Sequence, residues 1–193
     1  MSPDILPATS ERFDDAEHAI TGGGDGPTCQ CQWWTMTASQ FRETSREQKA
    51  DAWRAEMSET PPPGLVAYVD GAPAGWVRVG PRTAQPRLTR TRLVTGSSPE
   101  PIDDPAVWAV SCFVVRKEYR RSGLMPQLLD AAVRHARDAG ARVLEGYPFD
   151  LSARKRPSNE LYRGVLSVFT DAGFAVIARS SADQALVSLT LRA

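Results

Sequence analysis

Phe113-Val-Val-Arg-Lys-Glu-Tyr-Arg-Arg-Ser-Gly-Leu-Met-Pro-Gln-Leu-Leu129 changes its hydrophobic period midway, and that change decides the fold. The apolar run that enters it, Trp108-Ala-Val-Ser-Cys-Phe-Val-Val115, has the length of a buried strand. Beyond the basic turn, Leu128, Ala132 and Ala136 recur at four-residue steps, which predicts a helix over 125–139 with Gly140 as its C-cap. Residues 141–146 then read as another strand. Two strands joined through a helix run parallel, so the unit is a strand–helix–strand crossover.

The turn carries the chemistry. The first amides of a helix lack internal partners, and together with the positive end of the helix dipole they hold an anion. Arg116, Lys117, Arg120 and Arg121 add positive charge at the rim, and Gly123 lets the backbone come close to a ligand. Taken alone, a basic turn before a helix also reads as a solvated loop.

Working outward, Thr44-Ser-Arg-Glu47 reads as a capping box, followed by a helix with Ala50, Trp53 and Met57 on one face and Pro61-Pro-Pro63 as its stop. Residues 65–69 and 74–79 read as two strands around an Asp70-Gly71 hairpin turn. Residues 82–92 hold four arginines and no acid and read as loop with a short helix. A second helix is predicted over 158–172, with Leu161, Val165 and Phe169 on one face, and residues 174–179 and 185–191 close the chain as a hairpin. That last strand pair offers an edge for pairing in a homodimer. The first 27 residues hold six acids against Arg12 and end in a glycine-rich stretch, which reads as an arm leading into a single domain over 28–193. The fold class is α/β, a mixed twisted sheet flanked by helices.

The chain has 193 residues, about one domain, and its 23 Lys and Arg balance 23 Asp and Glu. Zero net charge supplies no bulk steering toward nucleic acid or an anionic membrane, so neither is expected as a partner. No run approaches a membrane span of about 18 apolar residues, and the acidic N-terminus does not resemble a signal peptide. Cys29, Cys31 and Cys112 form neither a disulfide framework nor a two-plus-two metal pattern. A reduced cytoplasm and no bound metal are expected.

The second half of the chain, 106–191, resembles the GNAT superfamily of acyl-CoA-dependent N-acetyltransferases. The family's Arg/Gln-x-x-Gly-x-Gly/Ala motif is matched by Arg120-Arg-Ser-Gly123-Leu-Met125, and its Tyr-x-x-x-Gly-Phe ending by Phe169-Thr-Asp-Ala-Gly173-Phe174. Residues 65–79 match the preceding hairpin. The resemblance implies acetyl-CoA as donor and co-substrate, with Phe113, Val114 and Val115 pairing with the pantetheine amides. It further implies that Arg120, Arg121, Ser122, Gly123, Leu124 and Met125 hold the pyrophosphate. A primary amine on a small molecule or peptide is the implied acceptor, acetylated by direct attack.

Three positions depart from the family's pattern, the first being Met125, which stands where the motif has its last Gly or Ala. Phe169 stands where a general-acid Tyr is frequent, and Ala109 where a general-base Glu is frequent. Glu145, Tyr162 and Ser111 are therefore the candidate catalytic residues, Tyr162 standing where many relatives carry a cofactor-contacting Asn. Trp33, Trp34, Trp76 and Tyr147 are the candidate acceptor pocket, since Trp gives broad apolar contact with one donor. Each also reads as ordinary core. Cys112 reads as packing, because a Cys nucleophile wants a basic partner and none is near it in sequence. The rival functions are a non-catalytic acyl-CoA-binding module and a nucleic-acid binder using Arg82, Arg87, Arg90 and Arg92.

Overall fold

The computed structural model describes residues 3–22 and 24–191; Gly23, within the glycine-rich stretch, lies outside the described residues. Seven strands form one sheet among these residues: β1 (Asp4–Pro7), β2 (Gly64–Val69), β3 (Ala72–Pro81), β4 (Val107–Val115), β5 (Val143–Gly146), β6 (Ala175–Ser181) and β7 (Gln184–Thr190). Their order is β1-β2-β3-β4-β5-β7-β6, and only the β4/β5 pair is parallel. The helices are α1 (Phe13–Ile20), α2 (Gly26–Cys29), α3 (Ala38–Glu43), α4 (Arg46–Glu56), α5 (Arg92–Thr95), α6 (Leu124–Asp138) and α7 (Leu166–Asp171). This is the α/β class read from the sequence, a mixed sheet flanked by helices. No described helix is long and apolar enough to cross a membrane.

The β2/β3 hairpin turns at Asp70 and Gly71, both at positive φ (51° and 78°), the geometry that makes Asp-Gly a tight hairpin turn. On one face of the sheet α6 buries Leu124, Leu128, Leu129 and Ala132 with Val77, Val110 and Phe113. Phe13, Trp53 and Trp76 stack edge-on in a second cluster formed with α1 and α4, at centroid distances of 5.5 and 5.1 Å. The first 27 residues contribute β1, paired with β2 from Asp4↔Tyr68 to Pro7↔Leu65, and α1, whose Phe13, Ala16, Ala19 and Ile20 are buried.

Two sequence expectations need correction. The capping box is Ser45 with Gln48, one residue later than expected, because Thr44 closes α3, its amide bonding to the Gln40 carbonyl. The helix expected over 158–172 shrinks to Leu166–Asp171, with a single 3₁₀ turn at Ser158–Glu160. The reason is competition for the backbone. The Gly164 carbonyl accepts from the Phe149 amide (3.0 Å), the Leu166 amide donates to the Phe149 carbonyl (2.8 Å), and Gly164 has φ +81°.

The register of β4 positions the site. Arg78 pairs with Cys112 and Val79 with Val110, so Ser111 is an extra residue, a bulge. On its other edge β4 pairs with β5 only from Val107 to Val110. Past the bulge that edge has no strand neighbour among the described residues, and a cleft opens beside it.

Candidate active site

The cleft is a cavity of about 820 Å³. One wall is the β4 edge, Cys112 to Val115, and the outer end is the turn into α6, with Arg121, Gly123 and Met125. Cys29, Cys31, Trp33 and Phe41 also line it, and Leu161, Tyr162 and Val165 lie at the inner end, where the Phe113 amide meets the Tyr162 carbonyl. Pockets of this size, mostly apolar with a few converging polar groups, are typical small-molecule sites.

The outer end is built from backbone. Gly123 is the N-cap of α6 at φ +78°, and among the described residues no side chain caps the helix. Arg121 is also left-handed, at φ +65°. A Cβ placed on Gly123 would meet no atom within 4 Å among the described residues, and Gly123, Leu124 and Met125 all line the cavity. Pro126 has no amide to contribute but suits the first helical turn. Met125 packs partly against the core of α6. Arg120 and Arg121 divide the labour. Arg120 donates to the Val115 carbonyl (3.1 Å), to Ser158 Oγ (3.0 Å) and to the Gly22 carbonyl (3.1 Å), which latches three segments around the mouth. Arg121 is exposed and lines the cavity, leaving its charge for a ligand. Ser122 is exposed and spends its hydroxyl on the Tyr119 carbonyl (2.7 Å).

At the inner end the Phe113 amide donates to the Tyr162 carbonyl at 2.5 Å. That amide is thus engaged within the chain, where the resemblance had assigned it to a pantetheine group. Tyr162, Phe113, Val114 and Val115 do line the same cavity.

The other expected catalytic and pocket residues lie elsewhere. Glu145 is fully buried and bonded to Arg82 Nη1 (2.9 Å), Ser98 Oγ (2.5 Å) and Tyr147 Oη (2.7 Å). Arg82 is equally buried and also donates to the Glu100 and Pro101 carbonyls. The carboxylate is therefore committed to a buried ion pair that ties the 82–101 connection to β5. Burial, then the neighbouring Glu145 charge, pushes the Tyr147 hydroxyl well above its ordinary range. Ser111 is buried at the bulge, and its hydroxyl has no partner among the described residues. Trp34 is buried with its Nε1 donating to the Ser111 carbonyl (3.1 Å), and Trp76 is core. Of the four expected pocket residues only Trp33 reaches the cavity. It stacks edge-on with Phe41 (5.2 Å) under the Arg87 guanidinium (3.8 Å).

The sequence reading missed the thiol cluster. Cys29, Cys31 and Cys112 all line the cavity, and a guanidinium stands beside one of them. Arg78 Nη1 lies 3.6 Å from Cys31 Sγ, and Trp76 Nε1 donates to the same sulfur at 3.2 Å. Burial raises the Cys31 thiol pKa, but the Cys112 hydrogen bond and Arg78 outweigh it and bring it down to about 7. Burial, then Cys31, pushes Cys29 up to about 11. The only sequence signal was the Cys-x-Cys spacing; the partners are 45 and more positions away.

An open strand edge meeting an uncapped helix N-terminus beside a bulge is the arrangement on which comparison with known proteins bears. The acetyltransferase (GNAT) family model matches residues 30–163. The chain belongs to the GNAT family. It is an acyltransferase, and its fold is that of the solved GNAT structures. An acetyltransferase crystal structure aligns with TM-score 0.59 at 18% identity, covering 98% of this chain and 100% of that one. A GNAT acetyltransferase from Streptococcus pneumoniae gives 0.57 at 16%, covering 99% and 100%. The PaiA N-acetyltransferase of Thermoplasma acidophilum, solved with coenzyme A, gives 0.56 at 14%, covering 98% and 99%. No curated protein matches significantly.

Proposed function

We infer that this GNAT domain transfers an acetyl group from acetyl-CoA to the primary amine of a small molecule or peptide, by direct attack of the amine on the thioester carbonyl. One observation carries the reading: a single cavity runs from the uncapped N-terminus of α6 along the open edge of β4. The donor has matching parts, a diphosphate for helix amides and an extended amide chain for a strand edge. The amides of residues 121–125 and the Arg121 charge hold the pyrophosphate, and Val114 and Val115 flank the pantetheine arm. Trp33 and Phe41 give the acceptor an apolar wall. Direct attack needs mainly positioning, with one proton to remove from the amine and one to supply to the departing thiolate. Tyr162 is the expected catalytic residue that reaches the cavity, and its hydroxyl is assigned the second task.

The Phe113–Tyr162 bond, with Ala109 and Phe169 apolar, favours a second reading, a non-catalytic acyl-CoA-binding module. Two measurements separate them. Acetyl-CoA at about a hundred times its Kd should stabilise the fold by roughly 2.7 kcal/mol. Release of free CoA thiol is then followed across a panel of primary amines. Stabilisation with turnover supports the enzyme, stabilisation with no turnover on any amine supports the module, and no stabilisation removes both.

A further inference from the structure

The thiol cluster is unused by the proposed transfer, and its geometry has its own logic. Cys31 follows Gln30 in a backbone where both residues are left-handed, at φ 46° and 53°, a conformation non-glycine residues adopt at a cost. The arrangement holds Cys31 Sγ against Trp76 Nε1 (3.2 Å) and Arg78 Nη1 (3.6 Å), and Arg78 Nη1 also donates to the Cys31 carbonyl (3.1 Å). Arg78 and Cys112 are register partners across β3 and β4, so their side chains share one face of the sheet, and Cys112 lines the same cavity as Cys31. Two donors thus converge on one sulfur at the wall of an open cavity. Donors arranged in this way favour thiolate over thiol, and a thiolate with a second thiol on the same cavity wall is what an oxidation-sensitive cysteine needs.

We propose that Cys31 is an oxidative modification site, whose thiolate is oxidised by small hydroperoxides entering the cavity and is then resolved by Cys112 into an intramolecular disulfide. In the first step the Cys31 sulfur attacks the distal peroxide oxygen. An S–O bond forms, the O–O bond breaks, and hydroxide or alkoxide leaves with a proton from water. In the second step Cys112 sulfur attacks Cys31 sulfur, the S–S bond forms, and the sulfenic oxygen leaves as water with the Cys112 proton. Two thiols lose two electrons, and the peroxide gains them. The step requires no acetyl-CoA, so it stands or falls independently of the proposed acetyl transfer. The charged and titratable groups facing Cys31 are Arg78 from β3, Cys112 from β4, Glu56 at the end of α4 and Cys29; Arg78 opposes protonation, while Glu56 favours it.

The test treats the full chain with hydrogen peroxide and maps its peptides without reduction. The expected product links Cys31 to Cys112, leaves Cys29 free, and forms at a rate that rises with pH through about 7. Cys112→Ser should halt at the sulfenic acid, captured by a cyclic dione probe, and Cys31→Ser should leave Cys112 reduced. Trp76→Phe keeps the aromatic core but removes one donor, and should slow oxidation at pH 7 by about threefold or more. A Cys29–Cys31 link overturns the proposal. So does oxidation of all three thiols at one common rate, equal to that of the unfolded chain.

Discussion

The two ends of the cavity are made of different materials. The outer end is backbone from one short stretch, residues 121–125, opened by two left-handed residues and left without a side-chain cap. The inner end is lined by side chains drawn from far apart, Cys31, Cys112 and Tyr162, with Trp76 and Arg78 buried behind Cys31. A diphosphate is the same in every donor molecule, and a rigid set of amides suits an invariant group. The acceptor side of such an enzyme must be individual, and side chains on separate elements can vary without disturbing the sheet. One end is therefore local in sequence and the other is not.

That contrast presumes a frame that holds both ends without joining in the chemistry, and Glu145 is the sharpest place to break it. Its carboxylate and the Arg82 guanidinium are both fully buried and 2.9 Å apart. Removing one partner leaves the other charge buried and unpaired, so Glu145→Ala should lower the unfolding free energy by about 3–5 kcal/mol. Chemical denaturation measures it. A nearly unchanged stability together with abolished turnover would make Glu145 a chemical group, and the division between frame and site would fail.

The next largest effect separates the ends from each other. Gly123→Glu puts a carboxylate in the open space at the N-terminus of α6, on a backbone at φ +78° that a side chain adopts unwillingly. The roughly 2.7 kcal/mol of stabilisation by saturating acetyl-CoA should vanish, while the inner end still oxidises as Cys31 and Cys112 dictate. Loss of donor binding and thiol chemistry together would show that the ends are not independent.

Legibility followed the same division. The crossover, the hairpin at Asp70-Gly71 and the turn into α6 could all be read because each is decided by neighbours in sequence. The inner end could not. Cys31 and Arg78 meet only because β3 carries Arg78 beneath a left-handed turn, and no spacing rule announces that. Trp76 and Tyr147 had the right chemistry for a pocket, but the sheet turned them into the core. The stretch 158–165 misled by periodicity: Leu161 and Val165 keep helical spacing, yet the backbone groups of Tyr162 and Gly164 are claimed by Phe113 and Phe149.

A smaller effect tests the inner end directly. Tyr162→Phe keeps the ring and the backbone bond to Phe113 and removes only the hydroxyl, so acetyl-CoA binding should be unchanged. Turnover should fall about tenfold, low for acid catalysis because a thiolate leaves with little help. Steady-state kcat set against the KM for donor distinguishes this from lost positioning, which would raise KM.

The smallest effect separates two adjacent arginines of the outer end. Arg121 is exposed and uncommitted among the described residues, so Arg121→Ala should weaken acetyl-CoA about two- to fivefold, and the difference should shrink as salt is added, as it does for an exposed charge. Arg120 instead spends its guanidinium on the Val115 and Gly22 carbonyls and Ser158 Oγ. Arg120→Ala should therefore show its loss in thermal stability of the apo protein, with a salt-insensitive change in donor affinity. Were the two variants to lose affinity with the same salt slope, Arg120 would be a ligand group that leaves its latch when the donor binds, and the outer end would be less rigid than its backbone geometry implies.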